Sequence, residues 1–429
     1  MTTHRKIKDL IADGSILEVQ DGNHGEKHPT SADYVETGIP FVMAKDFHDG
    51  HVDLDACKKI PKDLGDSLRV GFARSGDILL THKGTVGEVA IVPKIDEYLM
   101  LTPQVTYYRT NPTKLLNKYL KYAFMSPYFR DQLFSFSAQS TRPYIGITSQ
   151  KELRIEVHAL TEQRRIASIL SAYDELIENS QRRIRLLEAI ARALYREWFV
   201  EFRFPGHEKL PLVASPLGGI PKGWEVKPVE SFCPLVIRGV TPKYEAGSGR
   251  FIINQKVNRG SELSLDELKE LETSLDVPAD KFARFGDVLV NCLGEGTIGR
   301  VHFYTEPHQG WAVDQHMSIC RAASPTDSLY VYFALESPEG QARITSMKTG
   351  GTNMTMFNIS ALRSFDLVEP PPTLRARFAE LALPMMRQRQ TLSELTRNLR
   401  RTRNLLVPKL LSGDVDVSHL VVEPEKLSA

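Results

Sequence analysis

The side chains best placed to do chemistry sit on two glycine-rich loops. Gly294-Glu-Gly-Thr-Ile-Gly299 spells G-x-G-x-x-G after a strand-like run, and Gly84-Thr-Val-Gly87 holds the corresponding place earlier in the chain. A dinucleotide loop of that spelling needs a helix that starts at the loop and turns its N-terminus toward the phosphates. Here the next residues are Arg300-Val-His-Phe-Tyr304, a strand-like run, and Lys83 breaks the spelling in the earlier copy. The loops read either as hairpin turns or as places where small residues let backbone approach a ligand such as DNA. In the second case Lys83, Thr85, Glu295 and Thr297 are the side chains at the contact. Two polar loops also correspond, Ser137-Ala-Gln-Ser-Thr-Arg142 and Lys348-Thr-Gly-Gly-Thr-Asn353. They offer Gln139, Ser140, Thr141 and Arg142 in one half and Lys348, Thr352 and Asn353 in the other. These types donate to phosphates and read base edges, and they also populate ordinary surface loops.

Other chemistry is thinly supplied. His24, His28, His48 and His51 lie near Asp46, Asp49 and Asp53, but their spacing fits no common zinc pattern and the later half has no counterpart, so no metal is expected. There is no G-x-x-x-x-G-K-[ST] and no Asn/Asp-Pro-Pro-Tyr/Phe, and no Ser/His/Asp or Cys/His arrangement stands out. No catalytic residue and no cofactor is therefore expected. The four cysteines, Cys57, Cys233, Cys292 and Cys320, form no C-x-x-C pair and read as buried free thiols. A net charge of +1 leaves any nucleic-acid contact to local basic faces. No apolar run reaches the ~20 residues of a membrane span, and the N-terminus lacks a signal-like core, so the expected setting is the cytoplasm, away from membranes.

The elements that must position these loops recur. Phe72-Ala-Arg-Ser-Gly-Asp-Ile-Leu-Leu80 is echoed by Phe282-Ala-Arg-Phe-Gly-Asp-Val-Leu-Val290, each a turn feeding a strand. Ser126-Pro127 is echoed by Ser337-Pro338, Gln104 by Gln315, and Ile147-Thr148 by Ile359-Ser360. The offset stays near 210 residues, which identifies a duplicated domain.

Each copy ends in a long helix. From Thr161 to Val200 there is no Gly or Pro, and Ile166, Leu170, Tyr173, Ile177, Leu187, Leu194 and Trp198 recur at heptad spacing. Such a helix spans roughly 60 Å. A stretch rich in Pro and Gly from Pro211 to Trp224 reads as a linker. From Thr373 to Pro408 a second seam holds Phe378, Leu381, Met385, Leu392, Leu395, Leu399 and Leu406, with Pro384 expected to bend it. Its basic residues, Arg387, Arg389, Arg397, Arg400, Arg401 and Arg403, read as a solvated face or one that meets nucleic acid or a partner. The simplest arrangement lays the two helices antiparallel.

Tandem domains that each end in a long helix, Leu160-Thr-Glu-Gln-Arg-Arg-Ile-Ala167 at the first helix start, and Pro221-Lys-Gly-Trp-Glu225 at the opening of the second domain resemble the specificity subunit of type I restriction–modification systems. The resemblance implies an α+β chain with two tandem α/β target recognition domains separated by two long antiparallel coiled-coil helices in a pseudo-two-fold repeat. The expected boundaries are 1–160 and 201–372 for the domains, 161–200 and 373–412 for the spacer helices, and 413–429 for a tail. It implies that each domain binds half of a bipartite, asymmetric site in double-stranded DNA. The helices would set the gap and dock two methyltransferase subunits, with restriction (helicase-nuclease) subunits joining the complex and the chain itself non-catalytic. The alternative is a bivalent interaction scaffold that does not act on DNA.

Overall fold

The computed structural model describes residues 3–25, 27–48, 50–137, 144–294, 296–308, 310–349 and 355–421. It divides into two units, Met1–Glu178 with Arg397–Ala429, and Asn179–Thr396. The first is built on strands β1 (Ile16–Asp21), β2 (Ile78–Thr81), β3 (Val89–Ile91) and β4 (Val105–Thr110), backed by helices α1 (Asn117–Met125) and α2 (Pro127–Ser137). The long helix α3 (Leu160–Tyr195) follows and ends in a wider turn, Arg196–Val200. The second unit repeats the plan with β5 (Leu235–Arg238), β6 (Val288–Asn291), β7 (Val301–Phe303) and β8 (Met317–Arg321), then α4 (Pro325–Glu336) and α5 (Pro338–Ser346). The long helix α6 (Pro372–Ser412) closes the series.

These two four-stranded sheets are antiparallel and share one topology, β1-β4-β2-β3 and β5-β8-β6-β7. Strands β2 and β6 are buried at every residue. Side chains alternate across a strand, so Ile78 and Leu80 enter one core while Leu79 enters another. Val288 and Val290 likewise separate from Leu289. A sheet covered on both faces explains why these strands read as continuous apolar runs.

The Ser-Pro pairs mark helix boundaries. Ser126 Oγ accepts the Phe129 N–H at 3.2 Å and Ser337 Oγ accepts the Gly340 N–H at 3.0 Å, with Pro127 and Pro338 as the first helical residues. Proline fits there because that position's N–H has no partner within the helix. The helical stretch around Pro127 is thus two helices.

Each unit closes its core on segments of both long helices. In the first, Ile166, Ala167 and Leu170 of α3 share a cluster with Val407, Leu410 and Leu411 of α6. In the second, Ala191, Tyr195 and Trp198 cluster with Phe378, Ala382 and Met386. Early residues of one helix meet late residues of the other, so the segments run antiparallel. Gln163 ties the start of α3 to its domain, donating to the His158 carbonyl at 2.9 Å and accepting the Leu116 N–H at 3.0 Å. Arg375 has the same task 212 residues on, donating to the Pro370 carbonyl at 2.9 Å and to Asp327 at 2.8 Å.

The structure corrects the second seam. Leu381 and Leu395 are each 45% exposed, while Ala382, Met386, Arg389, Thr396 and Arg403 are buried. Phe378 and Leu392 are buried as expected, and Met385, Leu399 and Leu406 are half-buried. On α3 and the turn that ends it, Ile166, Leu170, Ile177 and Trp198 are buried, and Tyr173, Leu187 and Leu194 are half-buried. Arg389 and Arg403 therefore do not belong to an outward basic face. Arg403 Nη1 meets Asp174 Oδ1 at 2.6 Å, and the other oxygen takes Lys121 Nζ and the Tyr122 hydroxyl, each at 2.7 Å. Arg389 lies 3.9 Å from Glu188 and donates to Thr305 Oγ1 at 3.4 Å. These acids let arginines occupy interior positions that an apolar seam would assign to leucine. The helix also runs unbroken through Pro384, with Phe378, Ala382 and Met386 packed on either side of it. The Pro/Gly stretch is not a simple linker: Leu212–Ser215 and Gly218–Pro221 form a hairpin, and Ile220 and Trp224 are buried. All four cysteines are buried and free.

Asp174→Asn would leave Lys121 and Arg403 buried without a carboxylate, at an expected cost of about 3–5 kcal/mol near pH 7. Burial alone would raise the Asp174 pKa, but Lys121 and Arg403 outweigh it and hold it below the ordinary carboxylate range. A depressed folded-state pKa gives stability that is complete above the unfolded value near ~3.9 and is lost as pH falls through the folded one. Unfolding measurements should thus show the gap between wild type and variant closing below about pH 4. A gap that persists undiminished in acid contradicts this role for Asp174.

Candidate functional site

Strand register brings the candidate loops to one edge of each sheet. Asp21, Thr106 and Leu80 form a row across β1, β4 and β2, and Arg238, Ser318 and Val290 form the same row across β5, β8 and β6. The chain therefore leaves at Gly22 and His82, and at Gly239 and Cys292, from equivalent points. Both glycines are required by close approach. A Cβ on Gly22 would lie 2.0 Å from the Thr102 carbonyl oxygen, and one on Gly239 would lie 1.9 Å from that of Val313.

The far end of each sheet is held by the repeated Phe-Ala-Arg-x-Gly-Asp turn. Gly76 and Gly286 take left-handed φ of 86° and 89°, which places Asp77 and Asp287 to accept the Arg74 and Arg284 N–H groups at 2.8 and 2.7 Å. Each buried carboxylate then receives a two-pronged guanidinium from the neighbouring strand. Arg109 reaches Asp77 at 3.0 and 2.8 Å, and Arg321 reaches Asp287 at 2.7 and 2.8 Å. Two parallel bonds fix orientation as well as distance.

At the loop edge the glycine loop and the polar loop are stitched together in both units. Lys83 bridges to Tyr144, and Leu293 bridges to Met356, which also pairs with Thr349. The Ile145 N–H donates to the His82 carbonyl at 3.1 Å, and the Phe357 N–H donates to the Cys292 carbonyl at 2.9 Å. Lys83 and Thr85 are exposed beside the start of the returning strand. Thr297 is half-buried, its hydroxyl donating to the Gly294 carbonyl at 3.0 Å and so closing its own turn. Lys348 is half-buried next to the Thr349–Met356 bridge. Gln139, Ser140, Thr141, Arg142, Glu295, Thr352 and Asn353 lie outside the described residues.

The two sites share a frame and differ in chemistry. Gly299 leads into strand β7, as the absence of a helix signal implied, so the loop is no dinucleotide cradle. The residue after the last loop glycine is Glu88 in one unit and Arg300 in the other, opposite charges just before strands β3 and β7. Arg300 is turned back on the loop, donating to the Gly296 carbonyl at 3.3 Å. Beneath the first loop lies a polar chain that sequence reading missed. Tyr108 donates to Gln150 at 2.5 Å, Gln150 to Thr106 at 3.0 Å, and Thr106 to Asp21 at 2.5 Å. His82 stands 3.6 Å from Asp21 with neither ring nitrogen hydrogen-bonded. Burial pushes its pKa down against the pull of Asp21, so the ring is neutral near pH 7. The only available signal was a cluster of polar residues beside apolar strand runs. Among the described residues, no group of three or more His, Cys, Asp or Glu could hold a metal ion, and no helix is long and apolar enough to cross a membrane.

Comparison with known proteins places this arrangement. Residues 12–189 match the family described as the type I restriction modification DNA specificity domain. The chain is 26% identical to the Type I restriction enzyme MjaIX specificity subunit of Methanocaldococcus jannaschii, over 97% of this chain and 94% of that protein. It is 18% identical to the HindI specificity subunit of Haemophilus influenzae, over 85% and 91% of the two chains. In fold it resembles the crystal structure of a type I restriction–modification system S subunit from M. genitalium, with a TM-score of 0.57, 13% identity and 96% of each chain covered.

Two glycine substitutions separate frame from loop. Gly239→Ala, with a Cβ driven onto the Val313 carbonyl, should cost about 2–4 kcal/mol of unfolding free energy. Gly84→Ala, at φ 81° with open space around it, should cost about 1 kcal/mol from backbone strain alone. Equal losses in a denaturant titration would contradict the placement of these loops.

Proposed function

From the premise that this chain belongs to the specificity-subunit family of type I restriction–modification systems, we propose that it is the DNA-reading component of such a complex. Each unit presents its stitched loop edge to one half of a bipartite, asymmetric target in double-stranded DNA. The observation that carries this reading is the repeated loop pair, held by matching backbone bonds in both units but bearing different side chains. Identical frames with Glu88 against Arg300 suit two readers of unlike sequences. Lys83, Thr85, Gln139, Ser140, Thr141 and Arg142 serve one half-site, and Glu295, Thr297, Lys348, Thr352 and Asn353 the other. Target recognition is assigned to residues 1–160 and 201–372. Helices α3 and α6, roughly 54 and 61 Å long, set the gap between half-sites.

The chain performs no chemistry in this reading, and methylation and cleavage belong to its partners in the cytoplasm. Two methyltransferase subunits dock against the long helices, and restriction subunits complete the nuclease. A pseudo-equivalent pair of grooves supports a twofold stoichiometry. One lies between Met125–Pro127 and Asn404–Val407, the other between Glu336–Pro338 and Arg192–Tyr195, each position offset by 211 or 212 residues. Leu176, Leu186, Ile190, Leu381, Leu395 and Leu405 add apolar surface on these helices for a partner to cover.

The purified complex with its methyltransferase should protect one two-part sequence, with affinity that falls steeply as salt rises. Exchanging residues 201–372 for the equivalent part of a relative should change one half-site only. Adding seven residues to each long helix should widen the gap by about three base pairs and keep both half-sites. Equal protection of random duplexes would overturn the reading and favour a scaffold that does not act on DNA.

A further inference from the structure

The first unit carries a cationic cavity that neither the duplicated loops nor the helices account for. Asn23, His24, Gly25, Lys27, Ser67 and Arg69 line a space of about 610 Å3. Its two walls are locked together by backbone. The Asn23 N–H donates to the Leu101 carbonyl at 2.7 Å, and its side-chain amide donates to the Lys27 carbonyl at 2.9 Å, folding the loop over. Gly71, at φ 95°, passes so close that a Cβ there would meet the Asn23 nitrogen at 2.8 Å. Gln20 accepts the Gly71 N–H at 3.3 Å from strand β1. His24 is oriented by a 2.9 Å contact from its Nδ1 to the Gly22 carbonyl.

Among the described residues the charge on these walls is unanswered. Lys27 and Arg69 are exposed, and among the described residues neither has an ion-pair partner; Glu26 lies outside those residues. The loop that leaves the second unit at Gly239 is different. There Lys243 stands 3.9 Å from Glu272, and Lys269 sits 4.8 Å over the Tyr244 ring. Two free cations on a preformed concave wall suit a phosphate oxyanion, which a guanidinium fork and an ammonium can hold together. The cavity begins at Gly22, on the sheet edge from which Lys83 also emerges.

We infer that this cavity seats one backbone phosphate of the DNA target, with Lys27 and Arg69 as phosphate contacts that position the first unit without reading bases. The inference rests on the DNA-reading function proposed above and adds a phosphate clamp in the first unit. A free phosphate-bearing solute would satisfy the same chemistry, and the shared edge with Lys83 favours the duplex.

The test compares wild type with Lys27→Ala/Arg69→Ala in the full complex with methyltransferase, on the bipartite target and on a random duplex, between about 50 and 200 mM salt. Both side chains are exposed, and matching thermal unfolding verifies the fold. The variant should lose affinity on the order of tenfold on both duplexes. Its log–log salt slope should fall by about one, and its preferred sequence should stay unchanged. Unchanged affinity and slope overturn the inference, and so does an altered half-site, which would make these residues base readers. Inorganic phosphate is titrated against the full chain in parallel. If the variant loses that binding while keeping wild-type DNA affinity and slope, the cavity serves a free oxyanion and the inference falls. A wild-type complex that treats both duplexes alike sinks the proposed function, yet the slope comparison still judges the clamp.

Discussion

The first unit depends on one buried charge that is answered on both of its oxygens. Asp174 is 6% exposed and holds Lys121, Tyr122 and Arg403 on its two oxygens, joining helix α1, helix α3 and the end of α6 at one point. An isolated buried charge would cost several kcal/mol, so the position of each of these elements is set by the other two. By the offset of the repeat, Asp174 corresponds to Met386 and Arg403 to Ala191, and both of these sit in the apolar core of the second unit. The ionic contact in one unit is thus an apolar one at the equivalent place in the other. The duplication keeps its backbone plan while the helix interface has lost its symmetry.

The same division between frame and variable surface governs the sheets. The Arg109–Asp77 and Arg321–Asp287 pairs are retained with nearly the same geometry, as are the left-handed glycines that present the aspartates. Sheets buried on both faces leave little freedom to the strands. What can vary is what leaves their edges: a lysine or a leucine at the first loop position, a glutamate or an arginine after the last glycine, and two additional residues in the second unit's loop. Surface loops on a rigid scaffold can change recognition without disturbing the core.

Much of this was legible in the sequence because it is local or repeated. Turn glycines, Ser-Pro junctions and apolar strand runs carry their structural reason in a few adjacent residues, and the second copy confirmed each of them. The interior arginines were not legible. Arg389 and Arg403 lie in the same tract as outward-facing Arg387 and Arg401, and only the acids on the other helix, Glu188 and Asp174, tell them apart. Distance in sequence hid them, because 201 residues separate Glu188 from Arg389 and 229 separate Asp174 from Arg403. The hairpin from Leu212 to Pro221 was obscured for a different reason. Its Pro and Gly content suits a linker, and its cross-strand pairing is not encoded in composition. The chain from Tyr108 to Asp21 combines residues from two strands and the short helix Ile147–Gln150, none unusual alone.

The central claim is that one chain reads two unlike half-sites held at a fixed separation. Base-resolution mapping of modified bases in host DNA, with this gene present and deleted, tests it most directly. The account predicts a single asymmetric two-part motif with a constant gap, modified only when the gene is present. A contiguous motif, or a pattern unchanged by the deletion, would contradict it.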